Sequence, residues 1–236
     1  MVRNREINFS YGSNLSGQRG AQVKVSFDNT EGGRQAAQHL LGLGHRRIAF
    51  LALHGAHDEA GEFRWSGERE AGWREALQQA GESTAGLAFH PPRTAQIAFE
   101  EQTAAARLAA EALAQRRDIS AVVAANQSAM RGLFQALRAA EIPEALWPAV
   151  VGFDGISVDV ADRSAAAHVV TALRLPWELI GQSAAELLWE RQQGRLCGAP
   201  QQRWVQMRLI PRLTSHHDWS HAAGTPGLAA IVQSVG

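Results

Sequence analysis

From residue 31 onward the apolar positions of the chain switch repeatedly between two periods. Residues 31–43 (EGGRQAAQHLLGL) place Ala37, Leu40, Leu41 and Gly44 at helical spacing, with Gly44 as the stop. RRIAFLAL, Arg46 to Leu53, then reads as a strand buried on both faces. A second helix is predicted over 66–80, with Ser66 as its N-cap and Trp73, Ala76, Leu77 and Ala80 on the apolar face, ending before Gly81. The strand GLAFH follows, then an Ala-rich helix over about 97–116 and the buried strand Ala121–Asn126. Helix 127–140 leads to strand Ala149–Asp154. After a polar stretch come strand HVVTALR, helix 176–193 and a last alternating strand, Arg203–Ile210. In that strand Trp204, Gln206 and Arg208 face one way and Val205, Met207 and Leu209 the other.

Strands that alternate with helices imply an α/β fold with a parallel sheet joined by crossover helices. The first 22 residues and the last 20 or so break this rhythm: YGSNLSGQRG reads as a loop, and residues 215–236 read as a loose tail.

In open parallel sheets ligands gather at the carboxyl ends of the strands. Strand 121–125 ends at Asn126, strand 149–153 ends at Asp154, and the loop after strand 46–53 leads to Trp65 and Arg69. An amide, a carboxylate, a guanidinium and an aromatic face on one rim suit a polyhydroxylated ligand, because each polar group can exchange hydrogen bonds with hydroxyls and a ring stacks on an apolar sugar face. The competing reading is that Asn126 and Asp154 cap the helix or turn that follows.

Several segments together resemble the lac repressor family of transcription regulators. They are DNTEGGRQAAQHLLGLGHRRIAFL (from Asp28), REAGWREALQQAG (from Arg69), AANQSAMRGLFQAL, VVGFDG and TALRLPWELIGQSAAELL, in the family's order and spacing from roughly residue 25 to 214. The resemblance implies a periplasmic-binding-protein-like fold of two α/β lobes that close on an effector. Carried over by position, it implies Arg69 as an effector clamp, Asn126 and Asp154 as hydroxyl-binding groups, and Trp177 as an aromatic near the ligand. Trp65 and Phe153 are further effector-binding candidates that equally fit the core. The chain departs from the family at Gln127 and Gly155, where acids are usual, and at Leu175, where a polar residue is usual. Each change removes a charged or polar group near the site, which implies either an effector less polar than a typical sugar or a site that has decayed.

By the same resemblance, residues 1–27 and 172–203 are assigned to an incomplete N-terminal lobe, whose last strand is VRNRE near Met1–Glu6. Residues 28–171 and 204–214 are assigned to a complete C-terminal lobe, and 215–236 to a tail. The apolar face of helix 176–193 (Ile180, Ala184, Leu187, Leu188) is then expected to be exposed or to need a partner chain. A helix-turn-helix head is expected to be absent here, so DNA is reached only through such a head. The expected partners are a sugar or nucleoside-like effector and, by family habit, a second copy in a homodimer. A solute-binding protein of a transporter, or a non-functional fragment, is the alternative.

Composition narrows these classes. The 236 residues are 45% hydrophobic and carry 23 basic against 23 acidic side chains, so no overall basic field attracts phosphates. The N-terminus lacks the apolar core of a secretory signal, no apolar run spans a bilayer, and a lone cysteine, Cys197, forms no internal disulfide. A cytoplasmic protein without membrane contact is expected. His216, His217 and His221 have no acidic or cysteine partner at a fixed spacing, and neither a GxSxG elbow nor a dinucleotide loop is present. No metal, no cofactor and no enzymatic activity are expected.

Overall fold

The computed structural model describes residues 9–10, 23–53, 64–91, 101–154, 171–195 and 201–212. The expectations for Met1–Glu6, the YGSNLSGQRG loop, residues 92–100, Gly155, residues 168–170, Cys197 and the histidine-bearing tail lie outside these residues.

The larger sheet holds β3 (Ile48–Leu51), β4 (Ala88–Phe89), β5 (Ala121–Ala124), β6 (Ala149–Phe153), β7 (Thr171–Arg174) and β9 (Arg208–Ile210) in the order β4-β3-β5-β6-β7-β9. All neighbours are parallel except β9, which runs antiparallel to β7 at the edge. A smaller parallel sheet has the order β1-β2-β8, from β1 (Phe9–Ser10), β2 (Val23–Phe27) and β8 (Gln201–Val205). Strands β3, β5 and β6 are buried along their whole length, which explains why they read as unbroken apolar runs rather than alternating ones.

Helix α1 (Asn29–Gly42) packs on α2 (Arg64–Gln79), and α3 (Gln102–Ala114) packs on α4 (Gln127–Ala139), the pairs lying against the larger sheet. Asp28 caps α1 by accepting from the Glu31 amide at 2.9 Å. At the other end Gly44 takes φ +93° just past the C-cap, the left-handed stop expected there. The approach of α1 to α2 depends on glycine. A Cβ at Gly72 would lie 1.8 Å from the Thr30 carbonyl oxygen, and one at Gly33 would lie 1.9 Å from that of Arg69. These two contacts fix the height of the helix that carries Arg69.

Three expectations change. Ser66 is no N-cap: α2 begins two residues earlier, and the buried Ser66 hydroxyl has no hydrogen-bond partner. The strand expected over Arg203–Ile210 is two strands in different sheets. Val205 and Met207 are buried while Trp204, Gln206 and Arg208 are exposed, so the alternation is real and runs unbroken through the switch of sheets. Strand β7 pairs with β6 and β9, and β8 stays paired with β2 as far as Val205. Finally, α5 (Trp177–Gln192) does not leave its apolar face open. Ile180, Ala184 and Leu187 are buried and Leu188 is half-buried, with the helix packed on β2 and β8. Strand β2, with Val25 and Phe27 buried, supplies much of that cover and was not anticipated.

Candidate functional site

The site grows from the first turns of α2. Trp65 and Arg69 are four residues apart and share a helix face. Arg69 is only 4% exposed, and burying a cation so completely is costly unless its charge and its N–H groups are met. Much of this need is met from three directions. Nε donates to Asn29 Oδ1 at 2.9 Å, and Nη1 donates to the Ala125 carbonyl at 2.6 Å, at the end of β5. The guanidinium lies 4.0 Å from the Phe153 ring centroid and 4.7 Å from that of Trp65, both within cation–π reach.

Asp154 follows Phe153 directly at the end of β6. Its backbone takes φ +78°, a left-handed conformation that Asp tolerates better than most residues, while its amide donates to the Leu173 carbonyl at 3.1 Å. Burial pushes its carboxyl above the usual carboxylate range, and the nearby positive charge of Arg69 opposes that shift. A half-buried carboxylate at a strand end, on a left-handed backbone and in the field of a fixed guanidinium, is an arrangement that can accept hydrogen bonds from ligand hydroxyls.

Asn126 lies two residues past the end of β5, as the N-cap of α4 and next to the carbonyl that holds Arg69. Its Oδ1 accepts from the Ala129 amide at 2.9 Å, so the capping reading holds for that oxygen. The side-chain NH2 is the donor available to a ligand. Gln127 is the first residue of α4, and Leu175 is a buried apolar side chain.

Of the six expected site residues, Arg69, Trp65, Phe153 and Asp154 come together and Asn126 adjoins them. Phe153 is fully buried, so its ring serves as a platform for Arg69. Trp177 opens α5, is 50% exposed, and packs edge-to-face on Phe27 with centroids 5.1 Å apart. It reaches the cluster through Phe27, whose carbonyl accepts from Asn29 Nδ2 at 3.4 Å.

Asn29 is the residue that sequence reasoning missed. The available signal was the Asp28–Asn29 pair: one side chain is enough to cap α1, and the second is then left for another task. Among the described residues no group of histidine, cysteine, aspartate and glutamate is arranged to hold a metal, and no helix is long and apolar enough to cross a membrane.

Residues 37–215 match the profile of the periplasmic binding protein-like domain. The chain belongs to this family. Its relatives within it are regulators of the lac repressor type. The HTH-type transcriptional regulator CelR of Thermobifida fusca is 35% identical over 198 residues, covering 81% of this chain and 52% of the relative. The HTH-type transcriptional regulator GntR of Pseudomonas aeruginosa is 34% identical over 166 residues, covering 70% of this chain and 43% of the relative. Among solved structures, the complex of the transcriptional regulator CelR with cellobiose aligns with a TM-score of 0.64 and 31% identity, over 86% of this chain and 57% of that one. The chain thus spans about half the length of the curated relatives it matches.

Proposed function

We propose that this chain is the effector-sensing part of a regulator of the lac repressor family, and that it binds a sugar at the ends of β5 and β6. The observation that carries the reading is the buried Arg69, fixed by Asn29 and Ala125 and within cation–π reach of Trp65 and Phe153, with the carboxylate of Asp154 in its field. In this reading Arg69 and Asn126 donate to sugar hydroxyls, Asp154 accepts from them, and Trp65 and Trp177 offer ring faces. Phe153 acts through Arg69. A cellobiose-type disaccharide is the first candidate, since a solved relative is a complex with cellobiose.

The domain reading is that the smaller sheet with α5 forms one lobe and the larger sheet with α1 to α4 forms the other, with the chain crossing at Phe27–Asp28, Leu175–Pro176 and Gln206–Met207. Closure on the sugar shifts the balance between two arrangements of the lobes, and the full regulator relays that shift to DNA through a head. The protein acts by binding, without catalysis, in the cytoplasm and as a homodimer. The relatives carry the names of regulators, which disfavours a transporter's solute-binding protein.

The test is thermal unfolding of the chain against a panel of saccharides and nucleosides. A ligand that binds only the native state at about 100 times its Kd adds about 2.7 kcal/mol, roughly 5–10 °C for a domain of this size. A shift with a saccharide that Asp154→Ala abolishes supports the reading. A shift that Asp154→Ala leaves intact contradicts it.

A further inference from the structure

We infer that Asn29 is the positioning residue of the Arg69 clamp, setting the direction in which the guanidinium meets the effector; this rests on reading the site as an effector pocket. Asn29 is buried, and both ends of its amide are engaged. Oδ1 accepts from Arg69 Nε at 2.9 Å, and Nδ2 donates to Glu68 Oε2 at 3.1 Å and to the Phe27 carbonyl at 3.4 Å. These partners permit one amide orientation. Turned over, the NH2 would oppose the Nε–H of Arg69, and the oxygen would oppose the Glu68 carboxylate.

A guanidinium is planar, so contacts at Nε and Nη1 fix the directions of its remaining N–H bonds as well. The two aromatic rings alone could not do this, because a cation slides and rotates over a ring face far more freely than it turns against two hydrogen bonds. Capping does not account for Asn29, since Asp28 already supplies the α1 cap. Its position is also where the chain leaves the smaller sheet. The Asp28 amide donates to the Val205 carbonyl at 3.2 Å, and Phe27, bonded to Asn29, is the last residue of β2. A displacement of β2 against the larger sheet therefore acts on Asn29, and through it on the orientation of Arg69.

The side chain of Arg69 can be observed without any ligand. In the 15N-labelled chain, one arginine Nε–H resonance should be protected from solvent exchange and should vanish in Arg69→Lys. Asn29→Ala should remove that protection, and Asn29→Asp, whose carboxylate can still accept from Nε while its second oxygen opposes the Glu68 carboxylate, should restore it in part. Cellobiose affinity by calorimetry should fall about ten- to a hundredfold in Asn29→Ala, from the loss of a hydrogen bond to a charged group, and recover in part in Asn29→Asp. If Asn29→Ala does not fold, Asn29→Gln, which moves the amide by one methylene, serves in its place. Protection unchanged in the variant overturns the inference. Protection lost as expected in a chain that takes up no saccharide upholds the positioning role and refutes the effector reading instead.

Discussion

Replacing Arg69 by methionine keeps most of the side chain's volume and removes its charge. Two buried acceptors, Asn29 Oδ1 and the Ala125 carbonyl, then lose their donors, and the Trp65 and Phe153 rings lose the cation beside them. Each orphaned acceptor costs about 1–3 kcal/mol, set against the relief of no longer burying a cation. The balance is a loss of about 2–4 kcal/mol at pH 7. The loss depends on pH through Asp154. Its folded carboxyl is already raised by burial, and Arg69 holds the rise in check. Without Arg69 it rises further. A raised carboxyl binds its proton more tightly in the folded state, so stability is full below the unfolded pKa of about 3.9 and falls as pH climbs through the folded value. The defect of Arg69→Met should therefore be smallest near pH 4 and deepest above the carboxylate range. Urea unfolding at a series of pH values reads it directly. A variant within about 0.5 kcal/mol of the wild type at every pH would show that the observed contacts do not hold Arg69, and would refute the reasoning.

Other substitutions probe the supports of the site. Asp154→Asn removes a poorly solvated charge and suits the left-handed backbone better. It should stabilise the chain by up to about 1 kcal/mol above pH 6, with the gain disappearing toward pH 4, while sugar binding is lost; urea melts and calorimetry on one sample check both. Gly72→Ala drives a Cβ into the Thr30 carbonyl and should cost about 3 kcal/mol or more. Gly67→Ala in the same helix, with open space around it, should change stability by less than about 1 kcal/mol. Asn126→Ala should cost about 1 kcal/mol through the lost α4 cap and weaken saccharide binding beyond that; a Ser at the position keeps the cap and separates the two effects.

The larger sheet was legible in the sequence because each of its central strands is buried on both faces, so that Ile48–Leu51, Ala121–Ala124 and Ala149–Phe153 stand out as apolar runs between helices. The strand-end rule then located Asn126 and Asp154 and led past β3 to Trp65 and Arg69, but the helix face those two share was hidden, because the expected helix began only at Ser66. What stayed hidden has physical reasons. The passage between sheets at Gln206–Met207 leaves no mark because the pleat continues through it, with Met207 buried and Gln206 exposed as in a single strand. Strand β2 was missed because VKVSF alternates within a polar surround that reads as loop. Asn29 was invisible for a different reason. Beside an N-capping aspartate it looks like helix-start polarity, and only the glycine-mediated approach of α2 to α1 brings Arg69 within 2.9 Å of it. The resemblance to the lac repressor family pointed to Arg69 but gave no role to Asn29.

The central claim is that Arg69, Asn126 and Asp154 form a working sugar site. Calorimetric titration of the purified chain with cellobiose, beside Asp154→Asn, tests it most directly. Saturable binding near one sugar per chain in the wild type and none in the fully folded variant is the result predicted. Equal binding by the two proteins, or no binding of cellobiose or any other saccharide by a cooperatively folded wild type, would contradict the account.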